Sequence, residues 1–376
     1  MLALRMKKPP TEEELERRKI VGINAETVTH VTSTDFPGHY PQEEHFWDIN
    51  IFRDNLKVEF HKNDPLEVSF SLVGVDASIA NAFRRIMIAD VPTVAIETVL
   101  MENNTSVIQD EVLAHRLGLI PFRGGKEGLH KFMNFLKKPA DGEDPQYVDY
   151  NTIQLSLNVD CTHNEDAAKD EEDPSKLYHH ANVYASDIEF HPVGRQTKYF
   201  AGEDAIAPVN PEILIAKLRP GQSIHCSMLM HKGVGSDHAK FSPVATASYR
   251  LLPTIKIKAP ILGKEAEKFA RCFPEGVIGL EKVTRKEAAQ KGSEYEGHEG
   301  ELKAVVKDTM RDTVSRECLR HDEFNKKVEL GRRRDHFIYS IESAGQWNSD
   351  AIFLESVALF KEKARKLEQQ VVNMVR

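Results

Sequence analysis

The apolar positions of this chain follow two periods, and the switch between them marks its first elements. Over residues 56–73 apolar and polar residues alternate: Val58 and Phe60, then Asn63-Asp64-Pro65, then Val68, Phe70 and Leu72. Alternation on both sides of turn chemistry predicts a β-hairpin. Next, Ile79, Ala82, Phe83 and Ile86 recur at i, i+3, i+4 and i+7, which predicts a helix over about 77–89. Asp76 or Ser78 can cap its start, and Asp90-Val91-Pro92 stops it. Residues 94–101 predict another strand.

A second helix is predicted at about 107–117. Ser106 and Gln109 form a candidate capping box, Asp110 and Glu111 lie near the positive end, and His115 and Arg116 lie near the negative end, with Gly118 just after. Strands are predicted at 153–159, in short pieces through 181–190 and 223–230, at the end of 244–258, and at 335–342; 302–320 reads as helical. Residues 160–173 hold seven acids against Lys169, a density that self-repels and predicts a mobile loop. The Lys-, Glu- and Gly-rich stretch 284–301 reads as a second flexible loop. Residues 1–50 show no sustained periodicity and read as an extended arm, with turn chemistry at Thr32-Ser-Thr-Asp-Phe-Pro-Gly38.

The C-terminal pattern is the strongest. Phe353, Val357, Phe360, Ala364, Leu367, Val371 and Met374 are spaced 4, 3, 4, 3, 4, 3, which is a heptad seam. Such a helix is roughly 40 Å long at 1.5 Å per residue. Its narrow stripe can fold back on the chain's own core or take a partner helix.

Composition narrows the classes. A length of 376 residues suggests two or three domains. Lys plus Arg is 50 and Asp plus Glu is 58, so the net charge is −8, which argues against a protein that mainly coats nucleic acid. No apolar run is long enough to span a membrane. The first residues lack an apolar stretch and carry Glu12, Glu13, Glu14 and Glu16, so no secretory or transit signal is expected. Cys161, Cys226, Cys272 and Cys318 are widely spaced, which suggests neither a disulfide framework nor a zinc site and fits a reducing compartment.

Catalytic chemistry is hard to find. There is no GxGxxG after a strand, no GxxxxGK[ST], no GxSxG and no HExxH. Gly233, Gly235 and Ser236 make a small loop, but no helix pattern follows to cradle a phosphate. His225, Cys226, His231 and His238 lie close together in sequence at spacings that match no common metal motif. Two thiols, Cys272 and Cys318, cannot hold a four-cysteine cluster. No metal or other cofactor is expected. Two basic spots, Arg84-Arg85 and Lys326-Lys327 with Arg332-Arg333-Arg334, have few aromatics among them and read as solvated or partner-facing surface.

Three blocks carry a resemblance. Asp76-Ala-Ser-Ile-Ala-Asn-Ala-Phe-Arg-Arg-Ile-Met-Ile88 with Val91-Pro-Thr-Val-Ala95 resembles the signature helix of the α-like subunits of RNA polymerases. Asn103-Asn-Thr-Ser-Val-Ile-Gln-Asp-Glu-Val-Leu-Ala-His-Arg-Leu-Gly-Leu-Ile-Pro121 is similar to the continuation of that signature in eukaryotic and archaeal members. His238-Ala-Lys-Phe-Ser-Pro-Val-Ala-Thr-Ala247 looks like a third block. Val21-Gly22-Ile23 and Thr32 to Gly38 resemble the larger α-like subunits shared by eukaryotic polymerases I and III. The third subunit of polymerase II usually carries a cysteine cluster, whereas 102–225 holds only Cys161.

The resemblance implies an α+β fold: a split dimerisation domain, an inserted β-rich domain and a ferredoxin-like segment lacking its cluster. The implied boundaries are an arm at 1–49, dimerisation parts at 50–101, 226–262 and 331–376, the insertion at 102–225 and the ferredoxin-like segment at 263–330. It implies a non-catalytic assembly subunit that pairs with a small α-like subunit. Together they would form a platform for the second-largest subunits of polymerases I and III and for small zinc-binding subunits, supporting synthesis of ribosomal RNA, transfer RNA and 5S RNA. The place would be the nucleus, including the nucleolus, with no direct nucleic acid contact and no membrane. The implied heterodimer residues are Asn81, Ala82, Phe83, Ile86, Phe353, Val357, Phe360, Ala364, Leu367 and Val371. Docking to the polymerase core would use Arg84, Arg85, His115, Arg116, His238, Lys240, Phe241 and Pro243. Two alternatives remain: the third subunit of a polymerase II-like enzyme, or a redox protein using Cys272 and Cys318.

Overall fold

The computed structural model describes residues 11–31, 47–137, 144–167 and 172–375. The turn chemistry of Thr32 to Gly38, and Lys169, Asp170 and Glu171 of the acidic stretch, lie outside the described residues. The chain is α+β and forms two compact units.

The first unit contains residues up to 60, 70–80 and 249–339. The extended arm expected before residue 50 is not what its described part forms. Glu12–Arg18 is a helix, because local end signals suffice without an apolar stripe: the Thr11 hydroxyl accepts from the Glu14 N–H at 3.3 Å, acids fill the first turn, and Arg17 and Arg18 the last. Ile20–Ile23 follows as a strand antiparallel to Val328–Ser343, with Ile20 opposite Arg333. A second short helix, Ile49–Asn55, is capped by Asp48. These strands belong to a six-stranded sheet ordered Val28–Thr29, Ile20–Ile23, Val328–Ser343, Glu67–Val73, Lys57–Asn63, with Val244–Ile257 also on Val328–Ser343. The hairpin strands are thus as the alternation predicts. Tyr339 stacks on Phe70 at 5.1 Å and donates its hydroxyl to the Ala80 carbonyl at 2.5 Å, so its polar tip is satisfied in the core.

The same unit holds a second core of Ile261, Phe269, Phe273, Val277, Ile278, Cys318, Phe324 and neighbours. Helix Gly263–Arg271 and the antiparallel pair Ile278–Lys282 and Leu302–Val306 enclose it. Two expectations fail here. Leu302–Val306 is a strand, not the start of a helix, because its Val305-Val306 end pairs across to Ile278 and Gly279, a partner distant in sequence. Residues 284–301 are also more ordered than a flexible loop: Thr284 and Glu287 form a capping box for helix Arg285–Ala289, and the Lys303 ammonium reaches the Glu287 carboxylate at 2.5 Å.

The second unit contains residues 61–69, 81–248 and 340–376. Its main sheet has four strands ordered Ile188–His191, Ile153–Asp160, Ser223–Gly233, Thr93–Asn104. Helix Asp110–Gly118 packs on it through Leu113 and Leu117, both in the core with Ile96, Phe122, Leu155 and Met228. The capping box expected at Ser106 and Gln109 is absent. Ser106 instead donates to Asn104 Oδ1 at 2.7 Å and accepts from the Ile108 N–H, a local turn that precedes the helix. Around the acidic stretch, Thr162–His163 pairs with Tyr178–His179, and Asp173 caps Pro174–Leu177. The C-terminal helix, Ser349–Val375, is anchored at its start: the Ser349 hydroxyl donates to the Asp64 carbonyl at 2.7 Å and its N–H to the Pro65 carbonyl at 2.9 Å. Among the described residues no helix is long and apolar enough to cross a membrane.

Candidate assembly interface

The signature helix spans Ala77–Ala89, and its second-unit part begins at Asn81. Phe83 and Ile86 are buried by the chain's own side chains, at 9% and 4% exposure. The Phe83 ring meets both Phe353 and Phe360 edge to face, with centroids 5.5 Å apart in each case. Asn81 and Ala82 are half-buried, and Arg84 Nε donates to Asn81 Oδ1 at 3.0 Å. Arg85 is exposed. At the helix's end, Lys363 reaches Asp90 at 2.9 Å. These contacts hold the first turns of the C-terminal helix against the signature helix.

The rest of the heptad seam is open. Val357, Leu367, Val371 and Met374 are 39%, 62%, 53% and 84% exposed, and Ala364 is exposed too. From Lys361 to Met374 every side chain is exposed. A helix end carrying a regular apolar stripe that its own chain leaves in water has the form of an interface. The ten residues of the expected heterodimer set therefore divide. Phe83 and Ile86 build the base with half-buried Asn81 and Ala82 beside them, Phe353 and Phe360 join base to seam, and Val357, Ala364, Leu367 and Val371 present surface.

The second group, expected to dock other chains, divides in the same way. Arg116 turns back into its own unit, donating from Nε to the Ile215 carbonyl at 3.1 Å and from Nη2 to the Leu214 carbonyl at 2.9 Å. Phe241 and Pro243 are buried, and Gly233 lies against the Phe241 ring, 2.6 Å from where a Cβ would sit. The Thr93 hydroxyl donates to the Phe241 carbonyl at 2.7 Å. Lys240 is nearly covered; its ammonium donates to the Ile96 carbonyl at 2.7 Å and pairs with Glu97 at 2.5 Å. His115 and His238 are exposed. Both border a cleft of about 230 Å³ lined also by Ile96, Val99, Ala114 and Leu119. The structure thus brings His115, His238 and Lys240 together from segments far apart in sequence. Sequence reading missed the cleft walls. Their one local signal is that Leu119, about half exposed, lies off the buried Leu113 and Leu117 stripe of the preceding helix.

The remaining candidates are dispersed. His225 Nε2 lies 3.1 Å from Asp160, His231 is buried with Nδ1 3.1 Å from the Asn151 carbonyl, and His238 Nδ1 accepts from the Lys240 N–H. Among the described residues no three or more His, Cys, Asp or Glu side chains converge as metal ligands. Burial pushes the Cys272 thiol up and the Cys318 thiol up to about 12, so neither is poised as a thiolate at neutral pH.

A protein of this architecture can hold other chains through an apolar helical stripe and a small cleft. The sequence profile of the RNA polymerase Rpb3/Rpb11 dimerisation domain matches residues 69–364. The chain belongs to this family. The matched span of the Rpb3/Rpb11 domain includes the signature helix, the cleft and the seam as far as Ala364. Curated relatives agree. "DNA-directed RNA polymerases I and III subunit RPAC1" of Saccharomyces cerevisiae is 49% identical over 349 residues, covering 93% of this chain and 97% of that one. The protein of the same name in Mus musculus is 44% identical, covering 94% and 95%. "DNA-directed RNA polymerase II subunit rpb3" of Dictyostelium discoideum is more distant, at 31% identity over 82% of this chain and 92% of its own length.

Proposed function

We propose that this chain is the larger α-like subunit shared by RNA polymerases I and III. It acts without catalytic chemistry of its own, as an assembly subunit that pairs with a small α-like subunit. The pair forms a platform for the second-largest subunits and for small zinc-binding subunits, in the nucleus and nucleolus. Direct nucleic acid contact and a membrane role form no part of this reading. The observation that carries it is the near full-length identity of 49% to a subunit named for polymerases I and III, against 31% to one named for polymerase II.

The geometry adds a physical reason. Permanent subunit interfaces are apolar and bury more than about 2,000 Å². The stripe Val357, Ala364, Leu367, Val371 supplies the centre of such a surface. Phe83, Ile86, Phe353 and Phe360 hold the helix in place, with Asn81 and Ala82 beside them. Arg84, Arg85, His115 and His238 supply polar surface for the remaining subunits, while Lys240, Phe241 and Pro243 support it from within and Arg116 braces its helix against the Leu214 and Ile215 carbonyls. Residues 263–330 are read as the ferredoxin-like segment, with Cys272 and Cys318 as core residues rather than ligands.

The test is affinity purification of the tagged chain from nuclear extract with quantification of stoichiometric partners. The largest subunits of both polymerases I and III, with one small α-like subunit, are expected. Polymerase II subunits alone would move the address, and a monomer would end the assembly reading.

A further inference from the structure

The cleft beside His115 has a size and lining that select one kind of occupant. Small-molecule sites run to about 300–1,000 Å³. This cleft, at about 230 Å³, falls below that range and has the scale of one large side chain. Ile96, Val99, Ala114 and Leu119 give it apolar walls, while the imidazoles of His115 and His238 and the carboxylate of Glu97 stand at its edge. An aliphatic occupant would cover those polar groups without pairing them, which is costly. An anionic occupant is disfavoured, because the Lys240 ammonium, the one lysine or arginine head group lining the cleft among the described residues, is already held by Glu97 and the Ile96 carbonyl.

We infer that the cleft is a socket for one aromatic side chain with a polar tip, a tyrosine or tryptophan, projecting from a neighbouring polymerase subunit. Its ring body fills the apolar space and its O–H or N–H donates to a rim imidazole or to Glu97, the split character that enriches these residues at interfaces. The socket is built in advance. Arg116 fixes the outer helix to the Leu214 and Ile215 carbonyls, and the floor is the paired strand Thr93–Asn104. Preorganised walls lower the ordering cost of docking. Val112 shares a helix face with His115 and Leu119 at i, i+3 and i+7 and stays half exposed, extending the apolar border.

This inference rests on the assembly reading, and the test separates the two. Intact polymerase is purified through the tagged chain carrying a photo-crosslinking amino acid in place of Leu119. A crosslink to a segment of another subunit containing a tyrosine or tryptophan is expected. In parallel, Ala114→Trp fills the cleft and should reduce salt-resistant retention of that subunit at least tenfold, while the small α-like subunit stays bound. Should Ala114→Trp fail to fold, Leu119→Ser at a half-exposed position should give a loss in the same direction. Crosslinks only within the chain, a crosslinked segment without an aromatic residue, or retention unchanged in the folded variant would each overturn the socket. Absence of polymerase subunits from the unmodified preparation would instead overturn the assembly reading.

Discussion

Phe83 and Phe360 meet edge to face, their ring centroids 5.5 Å apart and their planes at 79°. One ring is on the signature helix and the other at the point where the C-terminal helix leaves its own core. The contact therefore fixes the direction in which the exposed seam projects. Phe83→Ala removes a nearly buried ring that touches two others and should cost about 3–5 kcal/mol. Chemical denaturation of the purified chain checks this; a cost under about 1 kcal/mol would mean the two helices are held elsewhere. Phe360→Asp places a charge beside Phe83 and should lower stability as well as heterodimer yield.

Substitution at Leu367 tests docking apart from folding. It is 62% exposed and lies beyond the Phe360 anchor, so Leu367→Asp should leave the free chain within about 0.5 kcal/mol of the original. In co-expression with a small α-like subunit the same change should abolish the stable pair, because the new carboxylate would be buried without a partner. Arg365→Ala, off the seam, is the control. An intact Leu367→Asp heterodimer in size-exclusion chromatography would remove the seam from the interface.

Much of this was legible from spacing. The hairpin of Val58 to Leu72, the signature helix and the heptad seam are each set by periodicity within one segment, where sequence reading is strongest. Leu302–Val306 was not, because its strand character comes from pairing with Ile278–Lys282, across an intervening helix. Helix Glu12–Arg18 buries no residue and so shows no apolar stripe; only its cap and charge order signal it. At the site, residue type could not distinguish Arg116, whose guanidinium is taken up by the Leu214 and Ile215 carbonyls, and buried Phe241 from the exposed His115 and His238. The Lys240–Glu97 pair joins distant segments and leaves no local trace in the sequence.

Gly235 is a place where any side chain conflicts with the end of the signature helix. A Cβ there would sit 2.2 Å from the Ile88 carbonyl oxygen, and the neighbouring Ser236 N–H donates to the Ala89 carbonyl at 2.9 Å. The loop thus closes the helix end by backbone contact. Gly235→Ala must push the loop away and should cost about 1–3 kcal/mol. Faster hydrogen exchange at Ser236 in the variant would locate the damage; unchanged exchange and stability would show that the loop can shift freely.

His130 should give the stability of this chain a distinctive slope with pH. Its ring packs edge-on against Trp347 at 3.9 Å, and among the described residues Nε2 has no hydrogen-bond partner. Burial, followed by the nearby Lys232 and Lys126 ammonium groups, lowers its pKa from 6.5 to about 4. Lys232 is fixed there by donating to the Leu129, His130 and Met133 carbonyls. As pH falls from about 6.5 to about 4, the unfolded chain binds a proton at this residue that the folded chain refuses. Stability contributed by the neutral ring is therefore complete above about 6.5, declines through that window and changes no further below about 4. Carboxylates titrate in part of the same range, so the diagnostic quantity is the difference from a His130→Gln variant. Denaturation followed by tryptophan fluorescence at closely spaced pH values should show a shallower decline for the variant. Parallel curves would mean that His130 takes up its proton as readily in the folded chain as in the unfolded one.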